Sequence, residues 1–133
     1  MNSFQGNISK IKTKGNLSLV TITLGNQVDW VSVVLDTPST APYMILGNEV
    51  KVLFKETEVI LGIQQRNQIS VENCIEGILK SIERGEILSR LVVTTAIGEL
   101  VAVVGSNSVE RLELVANQDV TALVKMNEII LAP

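Results

Sequence analysis

The residues able to do chemistry are few, and several kinds are missing. There is no histidine, and Cys74 is the single cysteine. Imidazole acid–base catalysis, an internal disulfide and a zinc site are therefore excluded. The carboxylates Asp29, Asp36, Glu49, Glu56 and Glu58 show no spacing of a catalytic pair. No Walker loop, Gly-x-Gly-x-x-Gly element or nucleophile elbow is present. What remains is a donor inventory. Lys55 and Lys125 each follow an apolar run at matched positions, and Ser106, Asn107 and Ser108 open the polar stretch SNSVERLEL. A lysine at a strand end is often only solvated, and a serine before a short helix is often only its cap. Capping and anion binding use the same helix start, however, so the two readings do not exclude each other.

The elements that must position these groups are written twice. Gly6, Ile11, Leu17-Ser18 and Thr23 match Gly77, Ile82, Leu88-Ser89 and Thr94 at an offset of 71. After a one-residue gap near Gly25 to Val28 the offset becomes 70. Val31-Ser32-Val33-Val34 then falls on Val101-Ala102-Val103-Val104, Lys55 on Lys125, and Glu58-Val59-Ile60-Leu61 on Glu128-Ile129-Ile130-Leu131. This divides the chain into a first unit over 1–63, a linker over 64–68 (QQRNQ) and a second unit over 69–133. Units of about 65 residues bury little apolar surface alone and gain from a neighbour.

Within each copy, short β-branched runs alternate with turn chemistry at Lys14-Gly15-Asn16, Gly25-Asn26, Gly47-Asn48-Glu49, Arg84-Gly85-Glu86 and Ile97-Gly98-Glu99. Leu17 to Leu24 changes phase after Leu19, which predicts a β-bulge there. Trp30 to Leu35 is apolar on both faces. A short helix is expected in SNSVERLEL, capped by Ser106, Asn107 or Ser108, with Leu112 inward. Its counterpart in copy one carries Pro38 and Pro42 and should be shorter or distorted. Five strands with a helical segment between the third and fourth predict an all-β fold of two tandem OB-like five-stranded barrels, each with one short helix. A pair of SH3-like barrels is the competing form.

Charge bounds the partners. The net charge is −3 and aromatics are 3% of the chain, with no basic run. Nucleic-acid binding is disfavoured. Any bound anion must be held by local donors against the global field. No apolar run spans a membrane and the N-terminus lacks a signal-peptide pattern, so a cytoplasmic location is expected.

The second copy carries a familiar order: Ser70-Val71-Glu72-Asn73, then Ser81-Ile82-Glu83-Arg84-Gly85, Ala102-Val103-Val104 leading to Ser108-Val109, and Thr121-Ala122-Leu123-Val124-Lys125. This resembles the Mop family of molybdenum-binding domains, also called TOBE domains, in the tandem di-Mop arrangement. The resemblance implies non-covalent binding of molybdate or tungstate between units, for storage, buffering or delivery of molybdenum. It also implies a homo-oligomer, trimer or dimer, and contact with a molybdate transporter or cofactor-synthesis proteins. An ion-free regulatory or oligomerisation module of such a system is the alternative. Molybdate is a compact dianion whose oxygens only accept hydrogen bonds, so hydroxyls, amides and an ammonium suit it. Carried over by position, the implied oxyanion-binding residues are Ser70, Asn73, Ser106, Ser108 and Lys125, with backbone N–H groups near Gly105, and Lys55 in copy one. No residue is implied as a direct metal-cation ligand. The sequence departs from the family pattern at Glu72, where arginine is usual, and at Gly105, where threonine is usual. In copy one, Leu35 and Pro38 stand where Thr and Ser are expected, with Thr37 or Ser39 as substitutes.

Overall fold

In the computed structural model, which describes residues 1–25, 27–64 and 68–133, ten strands form two five-stranded antiparallel sheets. Asn26 of the Gly25-Asn26 turn and Gln65, Arg66 and Asn67 of the linker lie outside the described residues. The strands are β1 (Asn2–Lys14), β2 (Leu17–Thr23), β3 (Asp29–Val34), β4 (Glu49–Phe54), β5 (Ile60–Gly62), β6 (Asn73–Glu83), β7 (Leu88–Thr95), β8 (Gly98–Gly105), β9 (Asp119–Val124) and β10 (Ile130–Ala132). Helix α1 spans Ser106–Arg111, and single 3₁₀ turns span Glu56–Glu58 and Met126–Glu128.

The sheets are ordered β10-β4-β1-β2-β3 and β5-β9-β6-β7-β8. Each takes its outermost short strand from the other copy. After the Glu56–Glu58 turn the chain crosses over, and Ile60, Leu61 and Gly62 pair with Leu123, Ala122 and Thr121. The second copy returns the exchange, pairing Ile130, Leu131 and Ala132 with Leu53, Val52 and Lys51. The expected closed barrels are not formed: each ladder runs between two edges, β10 and β3 in one sheet and β5 and β8 in the other. Because the fifth strand leaves for the opposite sheet, it is not available to close its own.

Three further expectations are corrected. The bulge lies in β1, where the register shifts between Ile8 and Lys10, and in β6 between Leu79 and Lys80's successor Ser81. Along β2, Ser18, Val20 and Ile22 point inward in regular alternation, and Leu17 faces out. Its apolar character had suggested a phase change that the backbone does not make. The expected helix of copy one is replaced by turns between β3 and β4. Pro38 and Pro42 withhold two N–H donors there. In copy two, the N-cap of α1 is Gly105, with no side-chain cap; Val109 is buried within the helix and Leu112, at its C-cap, packs half-buried on the core.

One apolar core runs through both copies. Its ring cluster belongs to copy one: Phe54 lies 5.9 Å from Phe4 and 5.5 Å from Trp30 between centroids. The matching positions in copy two are Ile75, Leu100 and Val124. Trp30 is 1% exposed, and its indole N–H donates to the Cys74 carbonyl at 3.3 Å across the junction. Among the described residues no helix is long and apolar enough to cross a membrane.

Candidate functional site

The two copies meet at two related junctions, and each junction mixes residues from both. In the first, the Glu56–Glu58 turn that follows Lys55 packs on β8, and β5 beside it reaches toward the start of α1. In the second, the Met126–Glu128 turn that follows Lys125 packs on β3. Buried asparagines fix both. The Asn2 amide donates to the Val101 carbonyl and its oxygen accepts from the Val101 N–H, both at 2.8 Å. Asn73 does the same to Val31, at 2.8 Å and 2.7 Å. Each side chain thus imitates one rung of a ladder and satisfies an edge strand that has no strand beside it. At the second junction Ser32 adds a hydroxyl bond to the Ile129 carbonyl at 3.1 Å.

The structure therefore divides the residues that the sequence grouped together. Asn73 and Lys125 go to the second junction, since Asn73 pairs with Val124, immediately before Lys125. Asn73 is wholly buried and holds β3. Ser106 and Ser108 go to the first junction, with Lys55. Ser70 is exposed, in a bend ahead of β6. Lys55 and Lys125 are both exposed. The carbonyl of each accepts the N–H of the glutamate three residues on, at 3.0 Å. Ser106 braces the local backbone: its hydroxyl donates to the Gly85 carbonyl at 2.7 Å and lies 2.8 Å from the Ser89 hydroxyl, while its N–H donates to Ile87 at 2.8 Å. Glu72 is exposed and does not line the cavity at the first junction.

That cavity has a volume of about 310 Å³. Thr57 and Ile60 come from copy one, and Gly105, Ser108 and Arg111 from copy two. The Arg111 guanidinium donates to the Ser108 hydroxyl at 3.4 Å, since three residues along a helix bring side chains to one face. Hydroxyls from Thr57 and Ser108 with a guanidinium make a donor-rich wall, and the cavity is lined by no carboxylate. This suits a compact oxyanion. Arg111 escaped the sequence reading because its counterpart is Ala41, so the repeat does not mark it. Its spacing of three from Ser108 was the signal available.

The second junction has different chemistry at the same positions. Leu35, Asp36, Pro38 and Ala41 replace Gly105, Ser106, Ser108 and Arg111. Asp36 brings a negative charge, and nearby Tyr43 has its phenol pushed above the usual 10.0 by burial and then by Asp36. The substitutes proposed for the missing donors, Thr37 and Ser39, bond to each other at 2.9 Å. At these matched positions the second junction sets a carboxylate and apolar groups where the first has donors.

Comparison with known proteins finds relatives in both sequence and fold. Residues 69–131 match the TOBE domain model. A solved structure of the cytoplasmic molybdate-binding protein ModG, with molybdate bound, superposes with a TM-score of 0.88 at 26% identity. The match covers 98% of this chain and 94% of that one. The second copy thus matches the TOBE domain family, and the whole chain is similar to molybdate-binding relatives. The molybdenum transport protein ModE of Herbaspirillum seropedicae is 27% identical over 133 residues, which is 98% of this chain. The chain spans about half the length of that relative, 49%.

Proposed function

We propose that this chain binds molybdate or tungstate reversibly at its first junction and serves to store, buffer or deliver the ion in the cytoplasm. It acts as a binding protein and not as an enzyme. The observation that carries the reading is the donor wall of Thr57, Ser108 and Arg111 in a cavity between copies. The full-length likeness to a molybdate-binding structure supports it. The ion's hydration shell would be replaced by hydroxyls, the Gly105 N–H and the guanidinium, with Lys55 adding positive potential from the adjoining turn.

An oligomer of this chain fits the surface. Exposed apolar residues recur at matched positions: Leu17 with Leu88, Ile45 with Val115, and Ile60 with Ile130. A monomer has no reason to repeat such exposure in both copies, whereas a ring of like units covers all of them. A trimer of tandem pairs imitates six single units; a dimer is the alternative. A molybdate transporter or cofactor-synthesis protein is the expected partner.

Calorimetric titration with molybdate, tungstate and sulfate tests the proposal. Saturable heat with the first two and discrimination against sulfate are expected. Absence of heat with both at millimolar concentration would overturn it. The ion-free regulatory module draws support from the second junction, where Leu35, Asp36 and Pro38 have replaced donors. It would be favoured if the chain oligomerises but takes no oxyanion.

A further inference from the structure

A further cavity lies away from both oxyanion candidates, on the outer face of the β5-β9-β6 side of the second sheet. Its volume is about 470 Å³, and its walls include Ile63, Glu76, Gln118, Asp119, Val120 and Thr121. Glu76 stands opposite Thr121 in the β6–β9 ladder, and Asp119 is two residues before Thr121, so all three share one face. Two carboxylates and a hydroxyl therefore line one wall.

The hydroxyl is the unusual group. Thr121 is only 6% exposed, yet its Oγ1 makes no hydrogen bond within the protein among the described residues. Among the described residues no fully enclosed side-chain polar atom lacks a partner. The Thr121 hydroxyl consequently opens onto the cavity it lines.

Copy one shows what is missing. Gln5, Glu49 and Lys51 occupy the positions of Glu76, Asp119 and Thr121. There the Gln5 amide donates to the Glu49 carboxylate, and the patch carries its own ammonium on Lys51. In copy two the carboxamide has become a second carboxylate and the lysine has become threonine. The neighbouring exchanged strand places Gly62 beside Thr121, where Ala132 stands beside Lys51. In copy one these positions carry one negative and one positive charge. The other copy holds two negative charges, a free acceptor and space.

We propose that this cavity binds an aliphatic ammonium ligand, a primary alkylamine or short diamine, whose charged head supplies the positive charge that Lys51 carries in copy one. Ile63 and Val120 give its methylenes an apolar surface, while Glu76, Asp119 and the Thr121 oxygen accept its N–H bonds. A magnesium ion held by two carboxylates keeps several of its waters and would make no use of the apolar surface of Ile63 and Val120. The cavity is also far larger than a bare ion. This inference does not rest on oxyanion binding.

The test is calorimetric titration of the full chain with 1,4-diaminobutane, using 1,4-butanediol and magnesium chloride as controls. Saturable binding of the diamine, none of the diol and no competition by magnesium are expected. Asp119→Asn should weaken binding about tenfold, the worth of one charge-assisted partner. Thr121→Lys should abolish it by supplying the ammonium in cis, as in copy one, and Glu76→Gln offers a second weakened variant if the lysine perturbs folding by circular dichroism. Molybdate heats should be unchanged in all three. Equal binding of diamine and diol, unchanged diamine binding in a folded Thr121→Lys variant, or displacement by magnesium would overturn the assignment.

Discussion

At the scale of single residues, two asparagines and one arginine divide the labour between stability and binding. Asn73→Ala would leave the buried N–H and carbonyl of Val31 without partners. Each such group costs about 1–3 kcal/mol, so a loss of about 3 kcal/mol is expected in urea unfolding. Asn2→Ala should behave alike through Val101. Arg111→Ala should instead leave the unfolding midpoint nearly unchanged while weakening molybdate binding at least tenfold, as removal of a charged donor does. If the two substitutions exchanged these effects, the assignment of roles would be wrong. Gly105 supplies an opposite experiment. A Cβ there meets nothing within 4 Å and its φ of −60° suits any residue. Gly105→Thr restores the family hydroxyl without strain, and a tightening of about fivefold in the same titration is expected, one ordinary hydrogen bond.

At the scale of elements, the long strands bend at their bulges, and close approach to the neighbouring strand requires glycine beside them. A Cβ on Gly6 would lie 2.6 Å from the Thr23 carbonyl oxygen, and one on Gly77 equally close to that of Thr94. Gly6→Ala and Gly77→Ala should each destabilise by about 1–3 kcal/mol, the usual cost of forcing an extra carbon into packed structure, read from urea midpoints. The repeat made both glycines visible before any coordinates, together with strand order and the β2–β3 and β7–β8 hairpins, because these rest on local periodicity. The direction of β5 and β10 was not visible. Ile60-Leu61-Gly62 and Ile130-Leu131-Ala132 carry the same pattern, so each fits either sheet equally well. With the end of each copy crossing over, Lys125 and Ser108 lie at different junctions of one chain. Arg111 was hidden differently, by standing where the other copy has alanine.

At the scale of the whole molecule, exchange of end strands and a shared core predict that the halves unfold together. Trp30 is the sole tryptophan and reports on copy one, while far-ultraviolet circular dichroism reports on both. The two signals should give one coincident urea transition; separate midpoints would show that the copies are independent. Residues 1–68 and 69–133 expressed apart should each lack a cooperative transition, because each loses a strand and a buried asparagine clasp. The exchange also has a consequence for what the protein can become. In a pair built from identical single units, any substitution appears on both sides of every contact. Fusion of the units lifts that constraint, so one junction can trade its donors for Leu35 and Pro38, and one wall can trade lysine for threonine, while the intertwined partner keeps the scaffold folded. Specialisation of one half is thus open only to a chain that carries both halves in a single reading frame.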